Sequence, residues 1–69
     1  MEDITNMEPG EVVAMMRQNQ NMRQKELKNK LGISQTFMSK LEHGKRNLTL
    51  KLFLRIIKLL GYKLYIKKP

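Results

Sequence analysis

The chain is expected to be mainly all-α, with four helices followed by a short C-terminal β-strand, and three stretches carry that expectation. In Gln24 to Gly44, QKELKNKLGISQTFMSKLEHG, apolar residues at helical spacing on both sides of a glycine describe two short helices joined by a tight turn. Leu50 to Gly61, LKLFLRIIKLLG, describes a further helix, apolar over most of its circumference. In Tyr62 to Lys67 the period changes: Tyr62, Leu64 and Ile66 alternate with Lys63, Tyr65 and Lys67, as in a half-buried strand.

In chain order, residues 1–8 are polar and acidic with little to bury, and read as a mobile tail. Pro9 suits the first position of a helix with Glu11 in its first turn, beside the positive end of the dipole, and this helix is expected to run to about Asn19. Val13 and Met16 give it an inward face; Val12 and Met15 add apolar surface that either completes the core or meets a second subunit. Leu27 and Leu31 share one face of the next helix, which Gly32 ends by taking the left-handed conformation that other residues resist. Ile33 plugs the corner, and Ser34 is placed to accept the N–H groups that open a helix from about Gln35 to Glu42. Met38 and Leu41 face inward there. Gln35, Thr36, Ser39 and Lys40 are left outside, a face of one amide, two hydroxyls and one cation that suits base edges and phosphates.

After Gly44 the residues Lys45, Arg46 and Asn47 place three donors in a loop whose backbone can approach a phosphate. Thr49 caps the fourth helix, in which Leu50, Phe53, Leu54, Ile57 and Leu60 form one apolar stripe and Leu52, Ile56 and Leu59 a second. A domain of this size cannot surround such a helix, so another chain is expected to cover the second stripe. The strand raises the same difficulty. With no second strand in the chain, its simplest partner is its own copy, paired antiparallel across a two-fold axis through Tyr62, Leu64 and Ile66. The expected organisation is therefore a tail over residues 1–8, a domain over residues 9–61 and a dimerisation strand over residues 62–69.

Charge narrows the partner. The net charge of +8 hides an asymmetry: Glu2, Asp3, Glu8 and Glu11 stand in the first eleven positions, while every basic side chain and only Glu26 and Glu42 as acids follow. A polyanion is the natural ligand of such a chain. Without cysteine there is neither a disulfide framework nor a thiolate zinc site, and His43 alone builds no metal site; no cofactor is expected. His43 reads as a helix-terminal residue, and the six methionines as core or tail residues. No Gly-rich phosphate loop and no serine with a suitably spaced histidine is present, so no enzyme is expected. No apolar run approaches the roughly 20 residues of a membrane span, and the acidic start is unlike a signal peptide; the expected location is cytoplasmic.

Gln24, Glu26, Leu27, Leu31, Gly32, Ile33, Ser34, Ser39, Leu41, Glu42 and Gly44 stand at the spacing of the phage repressor and Cro-like, XRE-type, helix-turn-helix family, which the chain resembles in register from Pro9 to Gly61. The resemblance implies a homodimer that represses transcription by occupying a two-fold symmetric operator. It implies that Gln35, Thr36, Ser39 and Lys40 contact bases, and that Gln24, Ser34, Lys45 and Arg46 hold phosphates. Arg17, seven residues before Gln24, matches a family arginine that clamps the glutamate at the end of the recognition helix, here Glu42. Two departures stand out. Lys28 replaces a small alanine at the crossing of the two helices, and Phe37 stands where threonine or serine is usual. Phe37 has three uses open to it: touching a thymine methyl, lying on the sugar-phosphate backbone, or packing at the domain's edge.

A strand after the fourth helix, in place of a further helix, resembles the small DNA-binding antitoxins that partner a kinase-like toxin. That resemblance covers about the last twenty residues, and implies a toxin protein as a further partner and an autoregulated operon. The rival from another class is a protein-binding adaptor that uses the fourth helix and the strand. A basic membrane-surface peptide fits less well, because the fourth helix lacks a wide polar face.

Overall fold

In a computed structural model, which describes residues 3–69, four helices follow one another: α1 (Pro9–Asn19), α2 (Gln24–Leu31), α3 (Gln35–Glu42) and α4 (Leu50–Leu59). Each boundary has a local cause. Glu11 accepts the Glu8 N–H at 3.4 Å at the start of α1, and Glu26 accepts the Arg23 N–H at 3.3 Å at the start of α2. Ser34 Oγ accepts the Phe37 N–H at 3.0 Å to open α3, and Thr49 Oγ1 accepts the Leu52 N–H at 3.1 Å to open α4. The α2–α3 turn depends on Gly32, at φ 71°, which lets the Ile33 N–H fold back onto the Lys28 carbonyl at 3.1 Å.

α1 packs on α3 and α4, and α2 packs on α3. The core lies where these contacts converge, built from Val12, Val13 and Met16 of α1, Leu27 and Leu31 of α2, Met38 of α3, and Ile56, Ile57 and Leu60 at the end of α4. Val12 is a core residue, while Met15 is half-buried against the core. Gln20 Nε2 donates to the Leu60 carbonyl, which ties the exit of α1 to the exit of α4.

Gly10, in the first turn of α1, is buried against the backbone of α3. A Cβ there would lie 3.1 Å from the Glu42 carbonyl oxygen and nearer still to that of Leu41. Only a residue without a side chain brings the two helices this close. Lys28 lies elsewhere: half-buried on α2, it carries its ammonium outward to Asn29 Oδ1 at 3.0 Å.

Three features differ from the sequence reading. Ile4 and Met7, in the segment read as having little to bury, pack against the core; Met1 and Glu2 of that segment lie outside the described residues. The Thr5 hydroxyl and then its N–H donate to Asp3, closing a small turn and holding the Asp3 carboxyl below its usual range. On α4 the two expected stripes are redistributed. Ile56 is fully buried with Ile57 and Leu60, Leu52 and Phe53 are half-buried, and Leu50, Leu54 and Leu59 are exposed, Leu50 at 68%. The core takes one arc of the helix and leaves leucines on both flanks. Finally, residues 62–69 form no strand among the described residues. An extended segment is a strand only when a neighbour takes its backbone hydrogen bonds, and no other strand is present among the described residues. Tyr62 packs against the core, whereas Leu64, Tyr65 and Ile66 are exposed, Ile66 at 95%.

Candidate nucleic-acid interface

The outward face of α3 is set by what the inward face must do. Met38 and Leu41 are fully buried and Glu42 nearly so, which turns Gln35, Thr36 and Lys40 to solvent and leaves Ser39 half-buried beside them. These four residues, with His43 and Lys45, line one shallow open groove of about 460 Å³. No apolar side chain lines it. His43 escaped the sequence reading as a surface residue of this face, although its spacing from Thr36 and Lys40 is helical. Its Nδ1 lies 2.7 Å from the Ser39 carbonyl oxygen, so in the neutral ring Nδ1 carries the proton and Nε2 is the acceptor.

Behind the face runs a chain of polar contacts. Arg17 and Glu42 are each only 9% exposed, and they meet through two parallel bonds, Nε to Oε2 at 2.7 Å and Nη2 to Oε1 at 2.9 Å. Arg17 Nη1 also donates to the Met22 carbonyl at 2.7 Å, so the guanidinium ties α1 to both the α1–α2 loop and α3. The bonds to Glu42 raise the Arg17 pKa against the opposing effect of burial, and the Glu42 charge raises it further. With a raised value, its contribution to stability is complete below the ordinary guanidinium range and is lost only as pH rises through the raised value, so on the arginine side it is constant around neutrality.

Glu42 Oε1 accepts a further bond, from Gln24 Nε2 at 2.8 Å. That bond fixes which way the Gln24 amide faces. Its oxygen then accepts from Gln35 Nε2 at 2.8 Å and from Ser39 Oγ at 3.3 Å. A buried charge on α1 is thus connected, through Glu42 and Gln24, to the amide at the start of the outward face. The Gln35 Nε2 is committed to Gln24 and, more weakly, to Ser39 Oγ at 3.4 Å, while its oxygen is left to accept.

The rim residues are placed as follows. Lys45 is exposed in the groove, and Arg46, also exposed, has its guanidinium carbon 4.7 Å from the centroid of the Phe37 ring. Ser34 accepts the capping bond with its oxygen and keeps its hydroxyl proton for another acceptor. Gln24 is half-buried at the junction of α2 and α3. Tyr62, Leu64 and Ile66 stand apart from this face, Tyr62 and Leu64 lining an apolar groove of about 540 Å³ with α1 and α4.

Two short helices joined by a glycine turn, the second presenting a groove lined by polar and cationic side chains, define a DNA-binding regulatory domain. A family model described as Helix-turn-helix matches residues 13–66, most of the chain, and the chain belongs to that family. No curated protein and no solved structure matches it. Among the described residues no helix is long and apolar enough to cross a membrane.

Proposed function

We propose that the chain is a sequence-specific transcriptional repressor that binds a two-fold symmetric operator as a homodimer. The observation that carries this reading is the polar groove on α3, backed by a hydrogen-bonded support that holds its first residue in one orientation. In it, Gln35, Thr36, Ser39 and Lys40 read base edges in the major groove. The Gln35 oxygen accepts from N6 of adenine, and Nε2, exchanging its 3.4 Å contact with Ser39, donates to N7, the bidentate pairing a glutamine makes best. His43, with Nδ1 committed to the backbone, offers Nε2 to the same groove. Gln24, Ser34, Lys45 and Arg46 hold phosphates on either side and set the depth of α3.

Dimerisation runs through the C-terminal segment. Support comes from the exposed Leu64 and Ile66 and the exposed leucines of α4, apolar area that a monomer leaves in water. Antiparallel pairing of residues 62–67 with their copy supplies the missing ladder, and places two recognition helices in successive major grooves about 34 Å apart. In an antitoxin, the same protein would also bind a toxin and repress its own operon with that toxin bound. As a DNA regulator it works in the cytoplasm.

Selection of random DNA sites on the purified protein tests the reading. The expected product is a short motif repeated with two-fold symmetry, bound less tightly as salt rises. Absence of any enriched sequence would sink it and favour an adaptor that acts through α4.

A further inference from the structure

We infer that Phe37 is a positioning residue for Arg46, holding its guanidinium flat at the rim of the α3 groove so that one DNA phosphate meets a cation already in place. Phe37 lies on α3 between the outward Thr36 and Lys40 and the buried Met38 and Leu41. It is half-buried, yet it is not among the side chains packed against the hydrophobic core. What it does meet is Arg46, nine positions along the chain across the α3–α4 loop, at 4.7 Å from ring centroid to guanidinium carbon. That distance is within cation–π range.

The geometry suits a phosphate. Stacking on a ring occupies the flat face of a guanidinium and leaves its N–H donors, which lie in its plane, to grip two oxygens of one anion. No acid competes for the charge: among the described residues the one salt bridge is Arg17 with Glu42, on the other side of α3. An exposed arginine in a loop ordinarily samples many rotamers, and binding must select one. A ring beneath it makes that selection before DNA arrives. The inference rests on the DNA-binding reading, which assigned Arg46 to phosphate and left the use of Phe37 open.

The test has one arm without DNA and one with it. In the free protein, the Arg46 side-chain resonances should be shifted upfield by the Phe37 ring, and Phe37→Leu should abolish the shift. A wild-type spectrum without it overturns the inference and leaves the DNA-binding reading standing. With DNA, anisotropy titrations use the selected duplex and an unrelated one over a range of salt. Phe37→Leu should weaken both about 2- to 5-fold, the worth of an exposed cation–π contact, with the salt dependence unchanged. Arg46→Ala should lower the salt slope by about one unit, and adding Phe37→Leu should cost nothing further. Phe37→Tyr should bind as the wild type does. Arg46→Lys, which keeps the charge but not the plane, should lose the same factor in the wild type and nothing in Phe37→Leu, an arm that stands even if a Phe37 variant folds poorly. Additive losses, or a loss confined to the selected duplex as a thymine-methyl contact would give, overturn it. Wild-type protein that binds neither duplex strikes the DNA-binding reading itself, and this inference falls with it.

Discussion

Gly10→Ala is the substitution for which local and tertiary effects have opposite signs. Taken as a helix position alone, the change should stabilise by about 1 kcal/mol, because alanine is the better helix former. In the folded chain the added methyl collides with the Leu41 carbonyl oxygen and sits 3.1 Å from the Leu41 carbonyl carbon and from the Glu42 oxygen. The obstacle is backbone, so no side-chain rotation relieves it; α1 must lift from α3. That movement also stretches the Arg17–Glu42 bonds, now 2.7 and 2.9 Å, which span the same two helices. Overpacking of this kind costs about 1–3 kcal/mol, and a backbone collision belongs near the upper figure. A net loss of about 2 kcal/mol, at roughly 4–8 °C per kcal/mol for a domain of this size, lowers Tm by about 8–16 °C. Thermal unfolding followed by far-UV circular dichroism, with wild type and variant at one protein concentration, reads it directly. A Tm equal to or above that of the wild type would show that the helices do not approach as closely as described.

Arg17→Ala or Glu42→Ala leaves one charge buried alone and should cost about 3–5 kcal/mol, much of the total stability of so small a domain; coupling near zero in a double-mutant cycle would make them independent charges. Gln35→Ala and Lys40→Ala should reduce preference for the selected sequence by about 1–3 kcal/mol where the contact is a good bidentate one. Lys45→Ala should weaken all duplexes alike and lower the salt slope by about one unit; an unchanged ranking of sequences in both face variants refutes the assignment of the reading face. Deleting residues 62–69 should give a monomer, or an aggregate through the exposed leucines of α4, and light scattering that shows a monomeric intact protein at tens of micromolar refutes the proposed dimer.

Much of the fold was legible because its signals are local. Ser34 and Thr49 cap the helices that follow them, and Gly32 turns the chain where Leu27 and Leu31 end their stripe. Where the signal was tertiary, the sequence was mute. Gly10 looks like an ordinary residue in a first helical turn, and only the proximity of α3 explains it. The division of α4 was illegible for a different reason: with apolar residues on nearly every side, periodicity has no contrast, and α1 selects the arc containing Ile56, Ile57 and Leu60. At the interface, helical spacing groups Gln35, Thr36, Ser39 and Lys40, and extends to His43 once α3 is known to carry its face to its last turn. The bond from Gln24 to Glu42 and the contact of Arg46 with the Phe37 ring join residues distant in the chain, and no pattern of residue types announces either.

The contact chain from Arg17 through Glu42 and Gln24 to Gln35 also constrains how this protein can change its target. A replacement at Gln24, Ser39 or Glu42 that altered base preference would at once disturb a partner of a buried charge, so a new specificity there arrives together with a loss of fold. Thr36 and Lys40 are exposed and lie outside that chain. If α3 reads an operator as proposed, drift in operator sequence should therefore be followed by change at these two positions first, while Gln35 and its supports keep one base step fixed.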